Sequence, residues 1–341
     1  AELMDVPLDQ ILNKKIKEAR TDEELIQFND IISHPLLQSA GNALSFDARH
    51  YYYQAHLIYN HAKGDNEKCL LIAEELLKLL EAYPDKIREK PKMYISALHN
   101  VLLSRIQVHN YDHFEDTLNK LKAFPVKSIN TEVNRFVSAS IFEMVMYMDP
   151  GHFTQSIPVR EAILEGMNRY SEKINPIEEI TLLYNVFYSY FGNGEFSKAL
   201  GIINKLLNEY QKELRYDVQS AVRILNLILH YELKNTMLLE YNVVSTFRFL
   251  YKSKRLYKLE TIMLNFIKRK MPEIYSEKNE HDAFIELRKE CLEISEDPYE
   301  KKAFEYFDYI SWLDSKIENK SFEEIVQQKF KARAATRQKS A

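Results

Sequence analysis

Two histidines four residues apart are the nearest approach in this sequence to a metal-binding motif. His109 and His113 are followed closely by Glu115 and Asp116. On one continuous helix this spacing would place both imidazoles on one face, where they could hold zinc or iron. Asn110, however, marks a turn between two helices. We therefore expect His109 to end one helix and His113 to begin the next, which favours two separate histidines; a metal site is the alternative.

Residues 248–258 combine five basic and three aromatic side chains in eleven positions. Basic groups interleaved with aromatic rings suit phosphate neutralisation and base stacking. The apolar members of the segment also fit a core stripe, and cations are favoured near the C-terminal end of a helix. The candidate partner-binding residues are Arg248, Tyr251, Lys252, Lys254, Arg255 and Lys258.

Three interpretations of this basic segment stay open. Eight basic residues and one acid, Glu260, lie between positions 248 and 270, and acidic runs follow at 277–305. We expect the basic side chains to be solvated or ion-paired within the fold. They could instead bind an acidic protein or peptide, or a nucleic acid.

Local catalytic motifs do not occur in the chain. It has no P-loop, no GxGxxG, no GxSxG and no HExxH, which are the patterns that mark phosphate-binding, dinucleotide-binding, hydrolase and zinc-protease sites. We therefore expect no enzyme, no catalytic residues and no cofactor. The alternative is an active site assembled between helices, which requires polar residues that converge in a pocket with perturbed pKa values.

The composition predicts an all-α fold. The chain has 341 residues, of which 45% are hydrophobic, so it can bury a large core. It contains 7 Gly and 10 Pro, well below the roughly 12% combined share of average proteins. Few glycines disfavour the tight turns of β-sandwiches, barrels and Rossmann-type sheets. Leu, Glu, Lys and Ile dominate instead, and most of these are good helix formers.

The net charge and the cysteine content limit the cellular locations and the binding partners that the sequence predicts. A formal net charge of −4 and a pI near 6.3 do not indicate a general polyanion binder. Cys69 and Cys291 form no disulfide framework. There is no run of 18 apolar residues and no signal-peptide pattern at the start. We expect a cytoplasmic protein without a membrane partner; because the chain begins with Ala1, a fragment of a longer protein stays open.

Helical segments are interrupted at nearly regular intervals of 45, 42, 43 and 41 residues. The interruptions are Gly64-Asp65-Asn66, His109-Asn110, Pro150-Gly151, Gly194-Glu195 and Lys234-Asn235. Residues 98–121 also align over 183–206 without a gap, at about twice this period. Apolar residues at i, i+3 and i+4 precede and follow Gly194, which predicts two antiparallel helices joined by a short turn. Further helices are predicted at 255–271, 281–296 and 298–318.

The hairpin around Gly194 resembles a tetratricopeptide repeat. Its matching positions are Leu183, Val186 and Tyr190 in the first helix, Gly194-Glu195-Phe196 in the turn, and Ala199 and Ile203 in the second helix. A second match consists of Tyr53, Leu57, Gly64-Asp65-Asn66, Cys69 and Ala73. The sequence departs from the family pattern because Phe187 occupies a position that is small in the family, and because the period is 41–45 rather than 34 residues. The C-terminal part is also similar to uncharacterised bacterial proteins of the tetratricopeptide type.

The resemblance implies an all-α α-solenoid of about eight antiparallel helical hairpins in a right-handed superhelix. We expect one repeat domain over residues 1–328, clearest at 50–250, and a basic disordered tail at 329–341. The function implied is a non-catalytic scaffold that holds a protein or peptide on a concave surface. Aromatic clusters at 51–53 and 188–191 would fill grooves between helices or contact that peptide. The alternative is a regulatory protein that contacts nucleic acid through residues 248–270.

Overall fold

All regular secondary structure in the described part of the chain is helical, which confirms the predicted all-α class. The computed structural model describes residues 29, 31–211, 213–214, 216–254, 256–270, 277–297 and 300–340. The chain divides into two compact units, with the boundary between Phe142 and Glu143. Each unit is built from consecutive helices.

In the first unit, consecutive long helices pack against one another. Its elements are two short 3-10 turns (Pro35–Leu37 and Ala40–Asn42), α1 (Phe46–Lys63), α2 (Asn66–Glu81), α3 (Pro84–Glu89), α4 (Pro91–Gln107), α5 (Phe114–Ala123) and the greater part of α6 (Ile129–Met148). Helix α1 packs against α2, α2 against α4, and α4 against α5. In the core between them, Leu57, Leu76, Leu80 and Leu98 are almost fully buried.

The second unit continues from the end of α6. Its elements are α7 (Ile157–Arg169), α8 (Pro176–Gly192), α9 (Phe196–Glu209), α10 (Tyr216–Glu232), α11 (Thr236–Lys252), α12 (Lys258–Asn265), a π-helical turn (Phe266–Lys270), α13 (Glu277–Ser295), α14 (Lys301–Phe304), α15 (Tyr309–Ile317) and α16 (Phe322–Ser340). From α7 to α11 each helix packs on the next one. Helix α16 includes most of residues 329–341, the segment expected from sequence to be a tail.

Left-handed residues mark the five turns predicted from the sequence. Gly64, His109, Gly151, Gly194 and Lys234 all have positive φ, between 51° and 79°. A left-handed residue after a helix lets the next amides bond back to its last carbonyls. At Gly194 this occurs twice, because its N–H donates to the Phe191 carbonyl and the Glu195 N–H donates to the Tyr190 carbonyl, each at 2.9 Å. The positions of these turns are therefore confirmed.

The segment from Tyr306 to Gln327 packs back onto helices that lie far earlier in the second unit. The Phe307 ring lies 4.9 Å from the Phe191 ring of α8, and the amide of Gln327 donates to the Gly151 carbonyl at 3.0 Å. In a plain repeat array each repeat contacts only its neighbours. Here the end of the described chain instead covers α8 and the turn after α6.

One predicted helix is wrong in its extent. The sequence predicts a single helix over 298–318, but α14 ends at Phe304 and α15 begins at Tyr309. The cause is a local cap, since the Asp308 carboxylate accepts the Ser311 N–H at 2.8 Å. Such a cap satisfies backbone donors that would otherwise require a continuing helix.

Candidate functional site

Helix α11 carries apolar residues on two opposite faces, and only one of them is buried. Leu239, Val243 and Leu250 are at most 5% exposed, on the face that packs against α10 and the π-helical turn. The other face exposes Met237 (87%), Tyr241 (73%), Val244 (43%), Phe247 (46%) and Tyr251 (71%). Single exposed apolar residues are common, but a continuous row of them marks an interaction surface.

We call this surface the α11 face, formed by Met237, Glu240, Tyr241, Val244, Phe247, Arg248 and Tyr251. Five of its members are spaced by 4, 3, 4 and 3 residues, namely Met237, Tyr241, Val244, Arg248 and Tyr251. That average of 3.5 residues keeps a row of side chains in line along a helix that packs on another helix. The rings of Phe247 and Tyr251 stack at 6.0 Å with an interplanar angle of 20°, so part of the row is already ordered.

Three of the predicted basic residues lie at the C-terminal end of this face. Arg248 and Lys252 are exposed on the last turns of α11, and Lys254 is exposed in the turn that follows. No hydrogen bond or ion pair joins any of their side chains to the part of the chain that the structure describes. These three cations are therefore solvated rather than paired with the acidic run at 277–305, as far as that run lies within the described residues.

Lys258 differs from these three residues because both its side chain and its backbone make contacts within the fold. It is the first residue of α12, and its ammonium pairs with the Asp297 carboxylate at 2.7 Å, which raises the pKa of Lys258. Its backbone N–H donates to one Glu300 carboxylate oxygen at 3.0 Å, and the Leu259 N–H donates to the other at 3.2 Å. These contacts cap α12, so Lys258 has a structural role and confirms, at this one position, the predicted pairing with the acidic run.

The remaining members of the predicted site are placed as follows. Tyr251 belongs to the α11 face, while Arg255 lies outside the described residues. Lys254 has a φ of 54°, a left-handed conformation that ends the helix. The structure thus brings Arg248, Tyr251, Lys252 and Lys254 to one helix end. Lys258 instead has a structural role at the start of α12.

Sequence reasoning missed the apolar part of the site. Met237, Tyr241 and Val244 precede the basic segment and belong to a helix whose apolar residues are divided between two faces. The sequence does contain a pattern that indicates a second apolar face, because positions 237, 241 and 244 lie on the opposite side of a helix from 239, 243 and 250. Also missed was Arg223 of α10, whose guanidinium lies 4.1 Å from the centre of the Phe249 ring. Burial lowers the pKa of Arg223.

The aromatic cluster at 188–191 is packed inside the second unit. Phe191 is 1% exposed and contacts Phe307 and Phe322 at 4.9 and 5.4 Å. The Tyr190 ring is covered by the Arg160 guanidinium at 3.9 Å, which in turn pairs with Glu195 at 2.7 Å. These rings fill the space between helices, as the first of the two interpretations predicts.

The two spaced histidines lie on either side of a turn, as expected. His109 follows the end of α4 in a left-handed conformation, and His113 precedes α5, also left-handed. The His113 imidazole is exposed and lies 3.3 Å from the Asp116 carboxylate. Across the described ranges, no group of three or more His, Cys, Asp or Glu residues could hold a metal ion.

Comparison of the chain with protein-family models, with curated proteins and with solved structures gives no match. The tetratricopeptide resemblance therefore stays a prediction from the sequence pattern. None of the helices in the described residues has the length and apolar character needed to cross a membrane.

Proposed function

We propose that this chain is a non-catalytic protein-binding protein whose contact surface is the α11 face. The observation that carries the proposal is the continuous exposed row on α11, with three cations at its C-terminal end whose side chains have no partner within the described residues. Aromatic residues, Met and Arg are enriched at protein interfaces, and Tyr and Arg are among the residues that most often dominate the binding energy. The α11 face contains Met237, Tyr241, Phe247, Arg248 and Tyr251, which are all of these types.

The finer architecture is part of the same proposal. We propose that the helical hairpins stack as an α-solenoid of the tetratricopeptide kind, supported by the five left-handed turns at intervals of 40–45 residues. In the second unit, the partner would bind α11 and not the packed rings of α8. A cytoplasmic location is supported by Cys69 and Cys291, which are both free and buried.

Photo-crosslinking in the native host tests the contact surface directly. A photoreactive phenylalanine derivative replaces Tyr241 or Tyr251 in the full chain, and Asn208, an exposed residue of α9, serves as the matched control position. We expect a covalent adduct with a discrete protein from positions 241 and 251 and none from 208. The same result at all three positions, or no adduct at 241 and 251, would count against the α11 face as the contact surface.

An affinity pull-down addresses the basic part of the surface. Changing Arg248, Lys252 and Lys254 to Ser removes three exposed charges and leaves the buried face of α11 intact. Binding of a partner should weaken, since complementary charges at the rim of an interface raise the association rate. Lys258→Ser is the control, because that side chain is already paired with Asp297.

A further inference from the structure

We infer that the partner on the α11 face is a second copy of this chain, packed antiparallel on α11 about a two-fold axis at Val244. The inference rests on the proposed function, since it specifies which protein occupies that surface. Closed two-fold dimers are the commonest oligomers, and their interfaces must be complementary to themselves. The α11 face meets this requirement residue by residue.

The residues of the α11 face are placed symmetrically about Val244. A two-fold axis at this position puts Val244 against its own copy, Tyr241 against Phe247, and Met237 against Tyr251. Each of these pairings joins two apolar side chains. Val244 is also the smallest side chain of the seven, so the two helices approach most closely where the axis requires it.

The charged members of the face are complementary only between copies. Glu240 and Arg248 are both exposed and neither makes an ion pair within the described part of the chain. They are eight residues apart, which separates them by about 12 Å along the helix axis. An antiparallel pair centred on Val244 brings Glu240 of each copy to Arg248 of the other, so two ion pairs form across one axis.

The orientation is fixed by the same two residues. A parallel pair of α11 helices in register would place Arg248 against Arg248 and Glu240 against Glu240, and like charges in contact are unfavourable. The antiparallel arrangement replaces both repulsions with attractions. The two copies are therefore expected to form one closed dimer and not an open chain, because the interface uses the same face on both.

Charge reversal tests this arrangement in the full-length chain by sedimentation velocity. Glu240→Arg and Arg248→Glu each convert both ion pairs into repulsions, and each should raise the dimer dissociation constant at least about tenfold. The double variant, Glu240→Arg with Arg248→Glu, should dimerise as the original chain does. Glu209→Arg, at an exposed position on α9, is the control and should leave the dimer unchanged.

Mixing the two single variants gives the most specific outcome. In a mixed dimer the new Arg at 240 meets the new Glu at 248, and the unchanged Arg248 meets the unchanged Glu240. The two single variants, each largely monomeric alone, should therefore form a heterodimer when combined. Circular dichroism of each variant establishes that it is folded, so that loss of the dimer is not confused with unfolding.

A cysteine at the axis tests the position of Val244. Val244→Cys should give a disulfide-linked dimer on mild oxidation, because the two copies of this residue face each other. Cys69 and Cys291 do not interfere, since both are buried and burial raises the pKa of each thiol to about 12. Asn208→Cys, on α9, is the control and should not cross-link.

Two results would overturn the inference. One is a chain that is monomeric at the highest soluble concentration, and the other is a dimer that neither charge reversal weakens. If the chain is monomeric but photo-crosslinking at Tyr241 still captures a different protein, self-association is excluded while the protein-binding function stands.

Discussion

The indole N–H of Trp312 donates to a carboxylate oxygen of Glu232 at 2.6 Å, although the two residues are 80 positions apart. The same carboxylate pairs with the Lys316 ammonium at 2.5 Å. Glu232 ends α10 and its side chain is 6% exposed, so both contacts are largely shielded from water. This one acidic group therefore fastens α15 to α10, the helix on which α11 is packed.

Replacing Glu232 by Ala should lower the free energy of unfolding by about 2 kcal/mol, because it leaves a buried indole N–H and a partly buried ammonium without an acceptor. Trp312 is the only tryptophan, so its emission in a urea titration reports on this contact, and circular dichroism reports on the helices. Glu209→Ala, an exposed change on α9, should stay within about 0.5 kcal/mol of the original chain. Equal stability of the two variants would contradict a fastening role for Glu232.

The turns were predictable from the sequence, whereas the closing contacts of the second unit were not. Gly64, Gly151 and Gly194 predict helix ends by their residue type alone, because glycine adopts positive φ without a steric penalty. Nothing local in the sequence shows that Phe307 and Phe322 pack against Phe191. Such contacts depend on how the helices between them are arranged, and periodicity reports only which face of each helix is apolar.

Only the charged part of the candidate site could be predicted from the sequence, for a related reason. A dense group of cations such as Arg248, Lys252 and Lys254 stands out by composition. Met237 and Tyr241 do not, because an apolar residue on a helix usually faces the core. Only the packing of α11 on α10 shows which of its apolar rows is left exposed.

Two glycines of neighbouring helices should respond in opposite ways to alanine. A Cβ at Gly192, in α8, would lie 2.2 Å from the Phe153 ring, which is itself fully buried, so Gly192→Ala forces a core aromatic to move. We expect a loss of about 2 kcal/mol in the free energy of unfolding, typical of overpacking. A Cβ at Gly201, in α9, meets nothing within 4 Å, and Gly201→Ala should add about 0.5–1 kcal/mol through helix propensity.

Urea titrations of both alanine variants, followed by circular dichroism, check this pair. Each change adds one methyl group to a helix, and the two sites differ in what surrounds the added Cβ. A stability gain at Gly192 would mean that the Phe153 ring does not occupy the space beside α8.

Stability of the first unit should fall in mild acid because of His50. Burial in α1 lowers the pKa of His50 to about 4, opposed in part by Asp47, whereas an unfolded histidine has a pKa of 6.5. Between these two values the unfolded chain binds a proton that the folded chain does not, so stability is full above about pH 6.5 and falls as the pH decreases towards 4. From about pH 7.5 to about pH 5 the expected loss is about 2 kcal/mol.

The comparison that isolates His50 is the change in unfolding free energy between the two pH values, measured for the original chain and for His50→Gln. The variant should lose about 2 kcal/mol less than the original chain over this range. His230, whose pKa burial also lowers, is present in both and cancels. An identical pH dependence in the two proteins would show that His50 is not held neutral in the fold.

Nucleic acid should not bind the basic segment appreciably, even at low ionic strength. Of the five candidate cations, Lys258 is paired with Asp297, Arg255 lies outside the described residues, and the side chains of Arg248, Lys252 and Lys254 have no partner in the described ranges. Three phosphate contacts would give a slope of log affinity against log salt of only about −2.7 on duplex DNA, and the chain carries a net charge of −4. We expect no mobility shift of single-stranded or duplex oligonucleotides at about 50 mM salt. A mobility shift would favour the nucleic-acid alternative over protein binding if its affinity fell with salt much more steeply than this slope, because neutralisation of phosphates makes oligonucleotide binding strongly salt-dependent. Such a shift should also disappear when the three residues are changed to Ser.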